Sequence, residues 1–166
     1  MSERLKPAQA RPRADLARVV LDGESLTRLS PVFEAERAQA VADLEAENQF
    51  TLPGTESGPY VLHLSIHQGR LVLDIRRHDD APLAGIVLAL GPFRRLMKDY
   101  LLLVESYAKA VEEGREARIQ AIDMGRRGLH NEGAQLMLQR LAGKVAIDFD
   151  TARRLFTLVC ALHQRI

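Results

Sequence analysis

Two alternating segments separated by only two residues constrain the fold of this chain more than any other feature. Tyr60–His67 and Arg70–Arg76 each alternate apolar and polar side chains, and only Gln68-Gly69 lies between them. Such alternation is typical of a half-buried strand, and a two-residue loop ending in glycine is typical of a tight β-hairpin. Because so short a loop fixes the register, we predict that residues pair outward from His67 and Arg70.

In this register, apolar residues face apolar residues on one side of the hairpin. The predicted apolar pairs are Leu62 with Ile75, Leu64 with Leu73, and Ile66 with Leu71. The pairs on the other face are Val61 with Arg76, His63 with Asp74, and Ser65 with Val72. A shift of one residue would mix the two sets, so the register predicts that the first face is buried.

Further strands and a helix are predicted around the hairpin. Apolar runs predict a strand at 17–21 and a third strand at 83–90, the latter buried on both faces. Ser30-Pro31 predicts the start of a helix that continues to about Glu47, because serine caps a helix and proline suits its first position.

From Gly91 onward the apolar spacing predicts four helices. The first runs from Pro92 to Gly114, the second over 115–127 and the third over 131–142, with Gly128 and Gly143 closing the last two. A short extended link at 145–147 leads to the fourth helix, capped by Asp148 or Asp150. The predicted fold is therefore α+β: an N-terminal strand and helix, a three-stranded antiparallel meander, and a C-terminal half of four helices packed on the sheet. We expect one domain over 15–166, preceded by a disordered tail at 1–14.

The composition is that of an ordinary globular protein and favours no class of charged partner. Apolar residues make up 46% of the 166 positions, and the formal net charge is +1. A nearly neutral chain has no general attraction to nucleic acid or to acidic membranes. Because no run of about 18 apolar residues occurs and the N-terminus lacks an apolar segment, we expect a cytoplasmic protein without a membrane span.

Cys160 is the single cysteine, so no internal disulfide can form, as is usual in a reducing compartment. Its apolar neighbours favour a buried structural thiol. His163 follows on the same helical face, which leaves a catalytic Cys–His pair as the alternative.

Three side chains on the polar face of the hairpin form a partial set of metal ligands. These are His63, His67 and Asp74, of which His63 and Asp74 are predicted cross-strand neighbours. An ordinary His–Asp surface pair explains them without a metal, and we predict neither a metal nor a cofactor.

The segment from Gly125 to Gly133 is the strongest candidate for a functional site. Its side chains with functional chemistry are Arg126, Arg127, His130, Asn131 and Glu132. A helix beginning at Asn131 would leave backbone N–H groups free beside two guanidiniums and an imidazole, which together would form an anion pocket. Gly133 would let a ligand approach the backbone closely.

Two other interpretations of this segment remain open. The arginines could instead form structural ion pairs with nearby acids, of which Asp123, Asp148 and Asp150 are the candidates. His130 and Glu132 could act as general base and acid, although a spacing of two residues points them to different sides of a helix.

Arginine pairs recur at 76–77, 94–95, 126–127 and 153–154. If Arg153 and Arg154 lie near the other pairs of the helical half, they form a basic patch suited to nucleic acid or to an acidic partner. Aromatic residues for base stacking are few and acids are interleaved, which disfavours nucleic acid.

Several strings of the chain resemble a known family. The longest are Ala121–Gly133 and Asp148–Cys160, and shorter ones are Gly58-Pro59-Tyr60, Gly91–Arg95 and Lys98–Tyr100. Over about residues 15–165 the chain resembles uncharacterised protein family 0262 (UPF0262), a small alphaproteobacterial family. The resemblance implies a bacterial cytoplasmic protein with a single domain. The family has no assigned activity, so no catalytic residue can be carried over.

The favoured hypothesis is a non-enzymatic regulatory or adaptor protein that binds a partner protein through its helical half, with residues 126–133, Arg153 and Arg154 as the recognition surface. The alternative is an enzyme or sensor that holds a small phosphorylated or carboxylated ligand with Arg126, Arg127 and His130. A nucleic-acid binder is the third hypothesis. Leu101–Leu103 extend beyond the apolar stripe of the long helix, which indicates a homodimer.

Overall fold

The computed structural model describes residues 15–22 and 31–162. The predicted tail at 1–14, Ser30 and His163 lie outside these residues. In chain order the elements are β1 (Leu16–Leu21), α1 (Pro31–Ala46), β2 (Phe50–Thr51), β3 (Tyr60–His67), β4 (Arg70–Arg77), β5 (Pro82–Ala89), a short 3-10 helix (Gly91–Phe93), α2 (Arg94–Glu113), α3 (Glu116–Leu141), β6 (Ala146–Ile147) and α4 (Phe149–Leu162). The predicted α+β class is confirmed.

The hairpin of β3 and β4 has the register that the sequence predicts. Leu62 pairs with Ile75, Leu64 with Leu73, and Ile66 with Leu71. All six side chains are buried in the core. At the turn, Gln68 and Gly69 both adopt positive φ angles, 51° and 74°, the combination that matches the twist of a two-residue hairpin.

The four-stranded sheet has the order β1-β3-β4-β5, with β1 parallel to β3 and the other neighbours antiparallel. The prediction that the third meander strand is buried on both faces is wrong. In β5 only Ile86 and Leu88 are buried, while Val87 between them is 51% exposed. The cause is position, because β5 is an edge strand with one face toward the core and the other toward solvent.

The C-terminal half contains three α-helices within the described residues, not four. The predicted second and third helices are one continuous helix, α3, in which Gly128 and Asn131 are interior positions. A glycine costs a helix only about 1 kcal/mol relative to alanine. Side chains before, within and after the supposed joint, namely Ile122, Leu129 and Met137, are buried. That packing outweighs the glycines.

Other predicted helix ends agree with the structure. Gly114 ends α2 in the left-handed conformation, with φ of 68°. At the start of α4, the backbone N–H of Thr151 donates to Asp148 Oδ1 at 3.0 Å, so Asp148 is the capping residue of the two candidates. The link before it forms β6, which pairs with β2 in a separate two-stranded ladder that the sequence did not indicate.

Helix α4 is the centre of the helical layer, because α1 and α3 both pack against it. Leu155, Phe156 and Leu158–Leu162 are buried. Asn48 joins the end of α1 to the sheet: its amide donates to the carbonyls of Leu16 and Leu44, and its Oδ1 accepts from the Leu16 N–H at 2.7 Å. Among the helices in the described ranges, none has the length and apolar character that crossing a membrane requires.

Candidate functional site

A cleft of about 430 Å³ lies where α1, α3 and α4 meet. We call it the α1–α3–α4 cleft. Its lining residues are Glu36, Gln39, Ala40, Asp43, Ala46, Glu47, Arg126, His130, Arg153, Arg154 and Thr157. Each helix contributes residues three, four or seven positions apart, which lie on one face of a helix.

Arg126 is positioned by two aromatic rings. Its guanidinium carbon lies 5.9 Å from the ring centroid of Tyr100 and 5.5 Å from that of Tyr107. Such cation–π contacts fix the plane of the guanidinium without using its N–H groups.

The ion pair of Arg126 is with Glu36, and it is loose. Nη2 of Arg126 lies 3.4 Å and 3.5 Å from the two carboxylate oxygens of Glu36. The short bond to this carboxylate comes instead from the hydroxyl of Tyr100, at 2.7 Å. Within the described part of the chain Arg126 has no other hydrogen bond, so most of its five N–H groups remain available to a ligand.

His130 follows Arg126 by one helical turn and stacks near Tyr100, with ring centroids 5.6 Å apart. Its Nε2 is buried and has no hydrogen-bond partner among the described residues. Burial, together with the charges of Arg126 and Arg153, lowers the pKa of His130 to about 4. The imidazole is therefore neutral at pH 7. An unpaired buried polar atom costs about 1–3 kcal/mol, which a hydrogen bond from a ligand would recover.

Two arginines of α4 complete the cationic side of the cleft. Nη2 of Arg153 lies 3.6 Å from Asp150 Oδ1, so this acid, predicted as a partner of Arg126 or Arg127, pairs with Arg153 instead. Arg154 donates to the backbone carbonyl of Glu47 at 3.2 Å, and its Nη2 lies 3.8 Å from the carboxylate of Glu47. These long separations leave both guanidiniums able to bind a further anion.

The residues of the predicted segment fall into three groups: those that line the cleft, those that are exposed, and the buried Gly133. Arg126 and His130 line the cleft, whereas Arg127, Asn131 and Glu132 are exposed on other faces of α3. The predicted anion pocket at a helix start is wrong, because no helix begins at Asn131 and its backbone N–H lies in a helix interior. Arg153 and Arg154 join Arg126 in the cleft, whereas Arg94, Arg95 and Arg127 do not, so the arginine pairs converge only in part.

Gly133 has a structural explanation. A Cβ atom at this position would overlap Cγ and both Cδ atoms of the Phe156 ring. Gly133 and Phe156 are both buried where α3 crosses α4. The glycine therefore permits the close helix packing and is not a point where a ligand approaches the backbone.

The sequence did not predict that acidic residues line one side of the cleft. Glu36 and Asp43 of α1, with Glu47 directly after it, follow one face of that helix. Their spacing was visible in the sequence. Nothing local showed that this face would lie opposite arginines about 90 residues away.

The arginine pairs outside α3 and α4 do not contribute to the cleft. Arg94 and Arg95 are exposed at the start of α2, and Arg95 reaches Glu132 only at 3.9 Å. Arg76 and Arg77 form ion pairs with aspartates on or beside β4.

Cys160 is fully buried, and burial raises the pKa of its thiol well above the usual value. A buried protonated thiol fits the structural interpretation. The proposed partner, His163, lies outside the described residues.

The hairpin histidine makes different contacts from those predicted. Nδ1 of His63 lies 2.8 Å from Asp22, and Nε2 lies 3.2 Å from Asp80. Its cross-strand neighbour Asp74 is bound instead by Arg76, at 2.7 Å. His67 is exposed. Over 15–22 and 31–162, no group of three or more His, Cys, Asp or Glu side chains is arranged to hold a metal ion.

Residues 13–165 match the model of an uncharacterised protein family, UPF0262. The chain belongs to this family. A UPF0262 protein of Granulibacter bethesdensis is 68% identical, with 97% of this chain and 96% of the relative covered. UPF0262 proteins of Acidiphilium cryptum and Agrobacterium fabrum are 61% and 51% identical, over 92% and 90% of this chain and 94% and 95% of theirs. The resemblance stated from the sequence is thus confirmed.

No solved structure matches this UPF0262 chain significantly. The names of these relatives carry no activity, substrate or partner. What the cleft can bind is therefore inferred from the residues that line it.

Proposed function

We propose that this UPF0262 protein binds a small anionic ligand, with a phosphate or carboxylate group, in the α1–α3–α4 cleft. One observation carries the proposal: Arg126, Arg153 and Arg154 meet around a neutral imidazole whose buried Nε2 has no partner among the described residues. The ion pairs of the three guanidiniums are long, at 3.4, 3.6 and 3.8 Å, so these carboxylates do not use all of the guanidinium N–H groups.

Each residue has a distinct role in this proposal. Arg126, held between two tyrosine rings, presents its free N–H groups to the anion, and Arg153 binds a second oxygen from α4. His130 supplies a neutral hydrogen bond through Nε2. A volume of about 430 Å³ suits a small molecule, since ligand pockets are commonly about 300–1,000 Å³.

A small ligand fits the cleft better than nucleic acid does. Three carboxylates line the same concave surface as the arginines, and a polyphosphate backbone laid across it would meet them. The proposal places the protein in the cytoplasm, because a single buried free thiol is compatible with a reducing compartment.

Partner binding remains a second candidate function, on a different surface. Leu102 on α2 and Met124 on α3 are 55% and 73% exposed. We propose a second copy of the chain as the partner, because an apolar contact would remove these two side chains from water.

The test of the anion site is titration calorimetry at low ionic strength with inorganic phosphate and with succinate. We expect Arg126→Gln to weaken binding at least ~10-fold, the loss of one charge-assisted contact. Arg127→Gln is the matched control: it removes the same charge from the adjacent, exposed residue and should leave binding unchanged. Equal losses in both variants, or no binding of either anion to the unaltered protein, would refute the proposal.

A further inference from the structure

The α1–α3–α4 cleft has two walls of opposite charge. The guanidiniums of Arg126, Arg153 and Arg154 come from α3 and α4. The carboxylates of Glu36, Asp43 and Glu47 come from α1 and the residue that follows it. The charge of the cleft therefore changes sign across its width, from one side to the other.

The acidic wall, like the basic one, is only partly neutralised. Glu36 is engaged by the Tyr100 hydroxyl and by Arg126. Glu47 lies 3.8 Å from Arg154 and is largely exposed. Asp43 accepts one hydrogen bond, from the Gln39 amide at 2.8 Å, and forms no ion pair within the described ranges. Asp43 is thus a negative charge in the cleft that forms no ion pair with a cation of the described residues.

We infer that the ligand is zwitterionic, with its anionic group against Arg126 and Arg153 and an ammonium or similar cationic group against Asp43 and Glu47. This inference rests on the proposed anion site and adds the second half of the ligand. A purely anionic molecule that filled the cleft would bring negative charge beside the α1 carboxylates, where like charges repel. The cleft volume of about 430 Å³ is larger than a single phosphate or carboxylate group needs, so both ends of a small zwitterion fit within it.

Matched pairs of probes test this inference by titration calorimetry. Phosphorylethanolamine and ethyl phosphate share a phosphate and differ in the ammonium group; γ-aminobutyrate and butyrate make the same comparison for a carboxylate. We expect the zwitterion of at least one pair to bind ~10-fold or more tightly than its partner, the value of a charge-assisted hydrogen bond. Asp43→Asn should abolish this difference and leave the affinity for the simple anion unchanged or slightly higher. Glu132→Gln, which neutralises an exposed carboxylate outside the cleft, should change neither affinity.

The outcomes distinguish this inference from the proposal on which it rests. A zwitterion preference that Asp43→Asn removes and Glu132→Gln retains supports the inference. If the simple anions bind as tightly as the zwitterions and still depend on Arg126, the inference is overturned and the anion site stands. If none of the four probes binds, or if binding does not depend on Arg126, both are overturned.

Discussion

Gly133 and Gly128 provide the sharpest test of how the segment at 125–133 is built, because alanine at these two positions should have opposite effects. Both residues lie inside α3. At Gly128 a Cβ would have no neighbour within 4 Å, whereas at Gly133 it would overlap the ring of Phe156. The substitution is chemically identical, so any difference reflects only the surroundings.

The magnitudes follow from helix propensity and packing. Gly128→Ala should stabilise the protein by about 1 kcal/mol, because alanine is the better helix former. Gly133→Ala has the same gain but must displace a buried ring, and overpacking costs about 1–3 kcal/mol or more. Phe156 is itself packed against Phe93, with centroids 6.4 Å apart, so the ring has no free space to enter. With a cost at the upper end of that range, about 3 kcal/mol, the net loss should be about 2 kcal/mol.

Thermal unfolding measures both effects. One kcal/mol corresponds to about 2–4 °C for a chain of this size, so Gly128→Ala should raise Tm by about 2–4 °C and Gly133→Ala should lower it by about 4–8 °C. A double-mutant cycle with Phe156→Ala provides the control. Once the ring is removed, Gly133→Ala should no longer destabilise. A Gly133→Ala variant as stable as Gly128→Ala would refute the packing argument and return Gly133 to the list of candidate site residues.

Four further predictions concern the cleft and the assembly. Arg126→Gln should raise the pKa of His130 above about 4 in an NMR titration, because a neighbouring cation is removed. Arg127→Gln should leave this pKa unchanged. Equal pKa shifts in the two variants would contradict the placement of Arg126 beside His130. The pKa of His130 is about 4 in the folded protein, below its usual value of 6.5, so the unfolded chain binds more protons between these pH values. The free energy of unfolding should therefore fall as the pH decreases from about 6.5 to about 4. If urea melts of His130→Gln show an equally steep fall, His130 is not its cause. Arg126→Ala combined with Arg127→Ala should reduce anion binding at least ~10-fold. The double variant should lose less stability than Met137→Ala, because truncating that buried side chain costs about 2–5 kcal/mol. If both variants lose the same stability in a thermal melt, the two guanidiniums stabilise the fold and do not form a binding site. Light scattering at micromolar concentration should show a dimer that Leu102→Asp converts to monomer, and a monomeric parent protein would reject the homodimer.

Leu136 and Met137 are neighbours on α3 but differ in burial. Leu136 is only half-buried and packs at the margin of the core. Met137, its neighbour, is fully buried. The α-helical period places both near the core, and the true centre of the apolar face depends on where α4 lies.

What the sequence determined by itself was mostly local. The pairing of Leu64 with Leu73 followed from alternation and a two-residue turn. The C-terminal end of α2 followed from Gly114, and the start of α4 followed from an aspartate at 148 or 150, because each signal acts within a few residues. The family could also be identified from short strings of sequence.

Only the tertiary structure decided the continuity of α3, the exposure of β5 and the composition of the cleft. Whether a glycine ends a helix depends on packing from other elements. At position 133 a Cβ atom would overlap the ring of Phe156, which lies 23 positions later in the chain, so glycine is the residue that fits. The partner of Arg126 is Glu36, not a nearby aspartate. Contacts between residues 90 positions apart depend on how α1, α3 and α4 pack, and no local spacing in the sequence encodes that arrangement.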